Sequence, residues 1–244
     1  MYIKKMTVLL VAAFILTGCL YPDDRLSKNQ IPNQVQLESL QSAVDEYKKN
    51  NPYSLPIKTR DQDTNIFQKY PIDYKRLREE NLISEAPGNS FERGGVYQYV
   101  LIHVEDDPTV KVMDLRATQE LQKINNRITA YRNEHQYAPY GERIAKDVYK
   151  IDHKKIGLEQ SPTIKSPFSD TQLPVVMDAK GKIYLDYRQE LYKALQEKQH
   201  SYTYGDDIRY ILAKDSPIVP SHSLPYTIQD GEPVFRGVDA DNPS

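Results

Sequence analysis

One cysteine, Cys19, is all the thiol this 244-residue chain has, and there is no tryptophan. A single thiol excludes an internal disulfide and any cysteine-built metal site. No excess of one charge is present either. Lysine and arginine total 32, aspartate and glutamate 34, and the formal charge is −2. Residues 1–18 hold Lys4 and Lys5 and no acid, so trimming them would take −2 to −4. That balance excludes nucleic acid as a partner, which needs a concentrated basic face. It also excludes a polybasic grip on anionic lipid. No apolar run is long enough to span a bilayer, which takes about 20 residues.

Catalytic signatures are missing as well. There is no GxSxG elbow, no phosphate-binding glycine loop and no HExxH pair among His103, His135, His153, His200 and His222. Ser221-His222-Ser223 lies between prolines and reads as a loop, with no acid at a predictable place. Asp61-Gln62-Asp63-Thr64-Asn65 mimics the start of a calcium loop, but Ile66 and Ile72 stand where glycine and glutamate are required. It reads as a solvated insertion. The paired acids Asp23-Asp24, Glu79-Glu80, Asp106-Asp107 and Asp206-Asp207 are adjacent. A glycosidase needs its two acids across a cleft, so these read as turn residues or caps. The expectation is a chain with no catalytic residue, no metal and no cofactor, and not an enzyme. A site assembled in space around His103, His153 or His222 is the enzymatic alternative.

What is present begins at the N-terminus. Lys4 and Lys5 precede an apolar run from Met6 to Leu16, and small residues follow. Charge, short apolar run and small-residue exit form an export signal over 1–18. The exit, Leu16-Thr17-Gly18-Cys19, resembles the lipobox of bacterial lipoproteins. The resemblance implies diacylglyceryl transfer to the Cys19 thiol, cleavage after Gly18, and a chain held by membrane lipid on the outer face. One acyl chain binds only marginally, so two are needed for a stable anchor. Residues 19–34 then read as the lipidated cysteine and a polar tether. A lipobox before a tyrosine- and lysine-rich body is similar to uncharacterised membrane lipoproteins of Gram-positive bacteria. The lack of disulfides points the same way.

The body repeats itself. Leu37, Leu40, Val44 and Tyr47 are spaced as Leu121, Ile124, Ile128 and Tyr131 are, one helical stripe each. The run 70–77 matches 149–156, with Asp73 and Asp152 placed to cap short helices. Two β-rich runs surround Glu105–Pro108, and two more surround Asp178–Gly181. Asp114-Leu115-Arg116 and Asp186-Tyr187-Arg188 close the two segments alike. Residues 224–238 resemble 173–187, with a turn at Gln229-Asp230-Gly231. Gly94-Gly95 reads as a bend before a strand.

The fold class expected is α+β: helix-plus-antiparallel-hairpin units over 35–116 and 117–187, a degenerate third over 188–238, and a frayed tail over 239–244. The order within each unit looks like the soluble part of pilin-type subunits, although their long apolar N-terminal helix is absent. The nineteen tyrosines serve structure, or line a sheet that binds peptide or wall glycan. The leading functional expectation is a membrane-anchored, non-catalytic interaction or assembly protein with an unidentified protein partner. An extracytoplasmic module for wall glycan or peptide is the alternative.

Overall fold

The computed structural model describes residues 32–237. Gly18, Cys19, the expected export signal over 1–18, most of the expected tether and the expected tail 239–244 lie outside the described residues. No helix among the described residues is long and apolar enough to cross a membrane. Helices and antiparallel strands mix along the chain, so the class is α+β.

Helix α1 (Gln34–Asn50) opens where Asn33 caps it, its side chain accepting from the Gln36 amide. Leu37, Leu40, Val44 and Tyr47 are all buried, as one stripe at helical spacing must be when it lies on a sheet. A long connection follows, within which helix α2 (Tyr74–Glu79) is capped by Asp73. Then come β1 (Tyr97–Ile102) and β2 (Thr109–Asp114), a hairpin in register from Tyr97↔Asp114 to Ile102↔Thr109. Helix α3 (Leu115–His135) starts directly from β2, capped by Asp114, and stops at Gln136 in the left-handed region. Its Leu121 and Ile128 are buried, with Ile124 and Tyr131 packed at the edge of the same core.

The second half carries β3 (Tyr140–Ala145), β4 (Val148–Ile151), β5 (Thr163–Lys165), β6 (Gln172–Asp178) and β7 (Ile183–Leu185). The order is β3-β4-β6-β5, with β7 also on β6, and every pairing is antiparallel. Helices α4 (Arg188–Glu197) and α5 (Tyr210–Lys214) precede the last hairpin, β8 (Tyr226–Gln229) and β9 (Glu232–Phe235). That hairpin turns through Asp230 and Gly231, both with positive φ, the combination a two-residue hairpin needs.

The internal similarity has a backbone counterpart. Segment 56–60 pairs with 69–73, and 70–72 pairs with β1, so this part runs 56–60, 69–73, β1, β2. The sheet after α3 runs β3, β4, β6, β7. Asp73 N–H donates to Pro56 C=O at 2.7 Å, and Asp152 N–H donates to Pro139 C=O at 2.8 Å. Ile72 N–H donates to Tyr99 of β1 at 3.0 Å, and Ile208 N–H donates to Tyr226 of β8 at 3.2 Å. Two details differ from expectation. Asp152 caps no helix: residues 153–157 form a turn, and Asp152 pairs instead with Lys155 at 3.5 Å. Strand β3 has little buried surface, and its Gly141, Glu142 and Arg143 show no apolar alternation to announce it.

The core is not divided evenly. One cluster gathers α1, Tyr74, Leu77, β1 and β2. A second holds α3 and the large sheet, and it also takes Leu191, Leu195, Ile208, Leu212, Leu224 and Tyr226 from the last fifty residues. The C-terminal segment therefore has no core of its own.

Gly95 shows how tightly the approach to β1 is built. A Cβ there would lie 1.9 Å from the Asn89 carbonyl oxygen, a backbone atom that cannot swing away. Asn89 in turn accepts from Tyr99 Oη at 2.8 Å. Gly95→Ala is expected to cost about 3 kcal/mol, the upper end for overpacking. Denaturant unfolding checks it, and an unchanged midpoint would contradict the assignment.

Candidate functional site

Ser221, His222 and Ser223 form a junction where distant parts of the chain meet. Ser221 C=O accepts from Tyr187 Oη at 3.1 Å. His222 C=O accepts from Leu185 N–H at 2.8 Å, and His222 N–H donates to Gln68 Oε1 at 3.2 Å. His222 Nε2 and Thr118 Oγ1 are 2.8 Å apart. Asn65 Nδ2 donates to Ser223 C=O at 2.6 Å, and Arg209 Nη1 donates to Ser223 Oγ at 3.2 Å. His222 adopts positive φ. Burial, with Lys182 and Arg60 nearby, pushes its pKa down from 6.5 to about 4, so the ring is neutral at pH 7. It faces Thr118 and Gln68 rather than a serine. His103 stacks on Tyr210, and His153 contacts Ser161, so the histidines have separate partners.

The calcium-like stretch is also explained. Asn65 is buried and spends its amide on Ser223 and the Phe67 N–H. Among the described residues, no group of three His, Cys, Asp or Glu is placed to hold a metal ion. Asp61, Gln62 and Asp63 are exposed, as a solvated insertion requires, and its far end, with Asn65 and Phe67 buried, forms an arm into the junction.

Three Asp-x-Arg steps open α3, α4 and α5 with one geometry. In each the aspartate accepts the arginine N–H at 2.9–3.0 Å and grips its guanidinium through Nε and Nη2. Each guanidinium also lies over a ring: Arg116 over Tyr97, Arg188 over Phe235, Arg209 over Phe67. The third copy, Asp207-Ile208-Arg209, follows the pattern of the two the sequence shows closing the units. A D-x-R step ahead of a helix was the signal for it.

The first step faces a cleft of about 650 Å³. One wall is Tyr97, Asp114, Arg116, Ala117 and Glu120, from β1, β2 and the start of α3. The other is β5 and the loop 166–170, and Ile218 closes one side. All three sequence segments contribute. The size falls in the range of small-ligand sites, which favour such seams. The chemistry is mixed: Arg116 and Lys165, Glu120 and Asp170, Tyr97, Ile164 and Phe168. Arg116 is held by Asp114, whose hydrogen bonds raise its pKa further and fix its plane. Burial raises the Tyr97 pKa, so its hydroxyl stays protonated.

The loop wall is braced from behind. Ser169 Oγ and Thr171 Oγ1 donate to Glu190 Oε1 at 2.5 and 2.6 Å. Burial opposes the Glu190 charge, but the hydroxyls of Ser166, Ser169 and Thr171 outweigh it and hold the carboxyl below its usual range. Phe168 packs against both large core clusters.

The strand tyrosines are mostly turned inward, with Tyr140 of β3 and Tyr149 of β4 half-buried side by side at 4.9 Å between ring centres. Tyr97, Tyr99 and Tyr184 on the strands are buried, while the exposed Tyr53, Tyr137, Tyr192 and Tyr204 sit on helices and connections. Sheet positions bury one face against a helix, and these tyrosines take the buried face. The expected lipidation and cleavage residues, Cys19 and Gly18, lie outside the described residues. The cleft residues were not singled out by the sequence for binding.

No curated protein and no solved structure matches the chain. Residues 33–114, about a third of it and nearly the span of the first helix-hairpin segment, match the model of the YphF family N-terminal domain, and that part of the chain is similar to this family.

Proposed function

We propose that this chain is a lipid-anchored, non-catalytic interaction protein of the outer membrane face that holds its partner in the cleft between β5 and the start of α3. The observation that carries the reading is the cleft itself: a hollow of ligand size with braced walls and mixed charge at the seam of three segments. The export signal and the Leu16-Thr17-Gly18-Cys19 exit support the anchor. With two acyl chains on Cys19, the body would stay at the membrane.

The test places a photoreactive residue at Glu120, exposed on the cleft wall, or at Tyr53, exposed elsewhere, in the acylated protein in its own membrane. Adducts are expected from position 120 and not from 53, and Cys19→Ser should move the protein out of the membrane fraction and abolish them. Equal adducts from both positions, none from 120, or turnover of a wall or peptide substrate by the purified body would overturn the reading. A glycan adduct in place of a protein would select the module for wall polysaccharide.

A further inference from the structure

The cleft has a strand edge in one wall. All three residues of β5, Thr163, Ile164 and Lys165, line it. β5 ends the sheet order and, among the described residues, pairs only with β6, through Thr163↔Pro174, Ile164↔Leu173 and Lys165↔Gln172. In an antiparallel pair, alternate residues exchange hydrogen bonds with the partner, and those between point the other way. Here Pro162 C=O accepts from Val175 N–H and Ser166 N–H donates to Thr171 C=O. The even-numbered residues therefore face β6, and the N–H and C=O groups of Thr163 and Lys165 point outward. Proline opposite Thr163 fits this, since a non-bonded position needs no N–H across the ladder. An unpaired edge is a template for another strand.

Building on the binding reading above, we propose that the cleft takes an extended peptide, which adds as a strand to β5. Main-chain bonds to Thr163 and Lys165 give the affinity. Arg116, held flat by Asp114, receives acidic side chains and Glu120, which also pairs with Lys123 at 2.7 Å, receives basic ones, while Lys165 and Asp170 pair with each other at 3.0 Å. Ile164, Phe168 and Ile218 make the apolar subsite. A peptide is favoured over a glycan because the site offers a backbone ladder, and because Tyr97, the tyrosine on the cleft wall, is buried rather than laid open for sugar stacking.

The test uses the acylated protein in lipid nanodiscs with a random heptapeptide pool as probe; retained peptides are sequenced and remade. Each is then N-methylated at alternate backbone nitrogens, one register at a time. Strand addition expects one register to weaken binding at least about tenfold and the other to leave it unchanged, since each lost hydrogen bond is worth about that factor. Thr163→Pro, which removes one outward N–H without touching the β5–β6 ladder, is expected to weaken binding about as much. Equal tolerance of both methylation registers would overturn strand addition. So would binding of a β-1,4-linked N-acetylglucosamine hexasaccharide with no peptide retained; in that case adducts at position 120 would still support the cleft as the site. No binding of either probe together with no adduct at 120 would overturn both readings.

Discussion

Replacing Arg209 with methionine is expected to lower the unfolding free energy by about 3–5 kcal/mol, the cost of stranding a partner in a largely buried ion pair. The same change at Arg116 or Arg188 is expected to cost about 1 kcal/mol. All three arginines make the same bonds to an aspartate two residues before them. What separates them is water: the Arg209 side chain is 0% exposed, against 37% and 40% for the others. Arg209 also holds Ser223 and covers Phe67, so its loss frees the insertion arm from the junction. For a body of this size about 4 kcal/mol corresponds to roughly a 10 °C fall in Tm. Scanning calorimetry of the three variants decides it. Equal losses at all three would show that burial is not the controlling quantity. Asp207→Asn together with Arg209→Met is expected to recover part of the loss, because no charge is then left unpaired.

The second large effect is acid sensitivity through His222. Its folded pKa is depressed to about 4 from 6.5. Between those values the unfolded chain binds a proton that the folded chain refuses, so stability rises with pH across this window and falls as pH drops through it. The full shift amounts to about 3 kcal/mol. His222→Asn should remove that slope while lowering stability at pH 7 through the lost Thr118 contact, since asparagine accepts the positive φ found here. Chemical denaturation at pH 4.5 and 7 checks both. A slope unchanged by the substitution would assign the acid sensitivity to other groups.

Much of the local structure was legible. The stripes Leu37–Tyr47 and Leu121–Tyr131 are the buried or edge faces of α1 and α3, because helical spacing and apolar character coincide there. The hairpin turns at 103–108, 178–182 and 230–231 fall where Asp, Pro and Gly cluster. Asp73 caps a helix as its side chain allows. Strands β3 and β5 were hidden, one exposed and the other three residues long, so neither carries the alternation that betrays a half-buried strand.

The junction and the cleft were hidden for a different reason. Asn65 meets Ser223 across 158 positions, and Thr118 meets His222 across 104. Pairings of that kind depend on how segments dock and leave no local pattern. Arg116 was visible as the end of a repeated motif. Its place on a cleft wall depends on β5 and Ile218, which arrive from later in the chain.

Ser221, His222 and Ser223 lock distant stretches of the chain into one body, whose seam is the cleft. Calorimetric unfolding of the full chain checks this. A single transition is expected, with calorimetric and van't Hoff enthalpies equal, and one Arg209→Met shift that moves the whole transition. Two separate transitions, with the segment around 33–114 melting independently of the rest and Arg209→Met moving only one of them, would contradict the lock and with it a cleft built from all three segments.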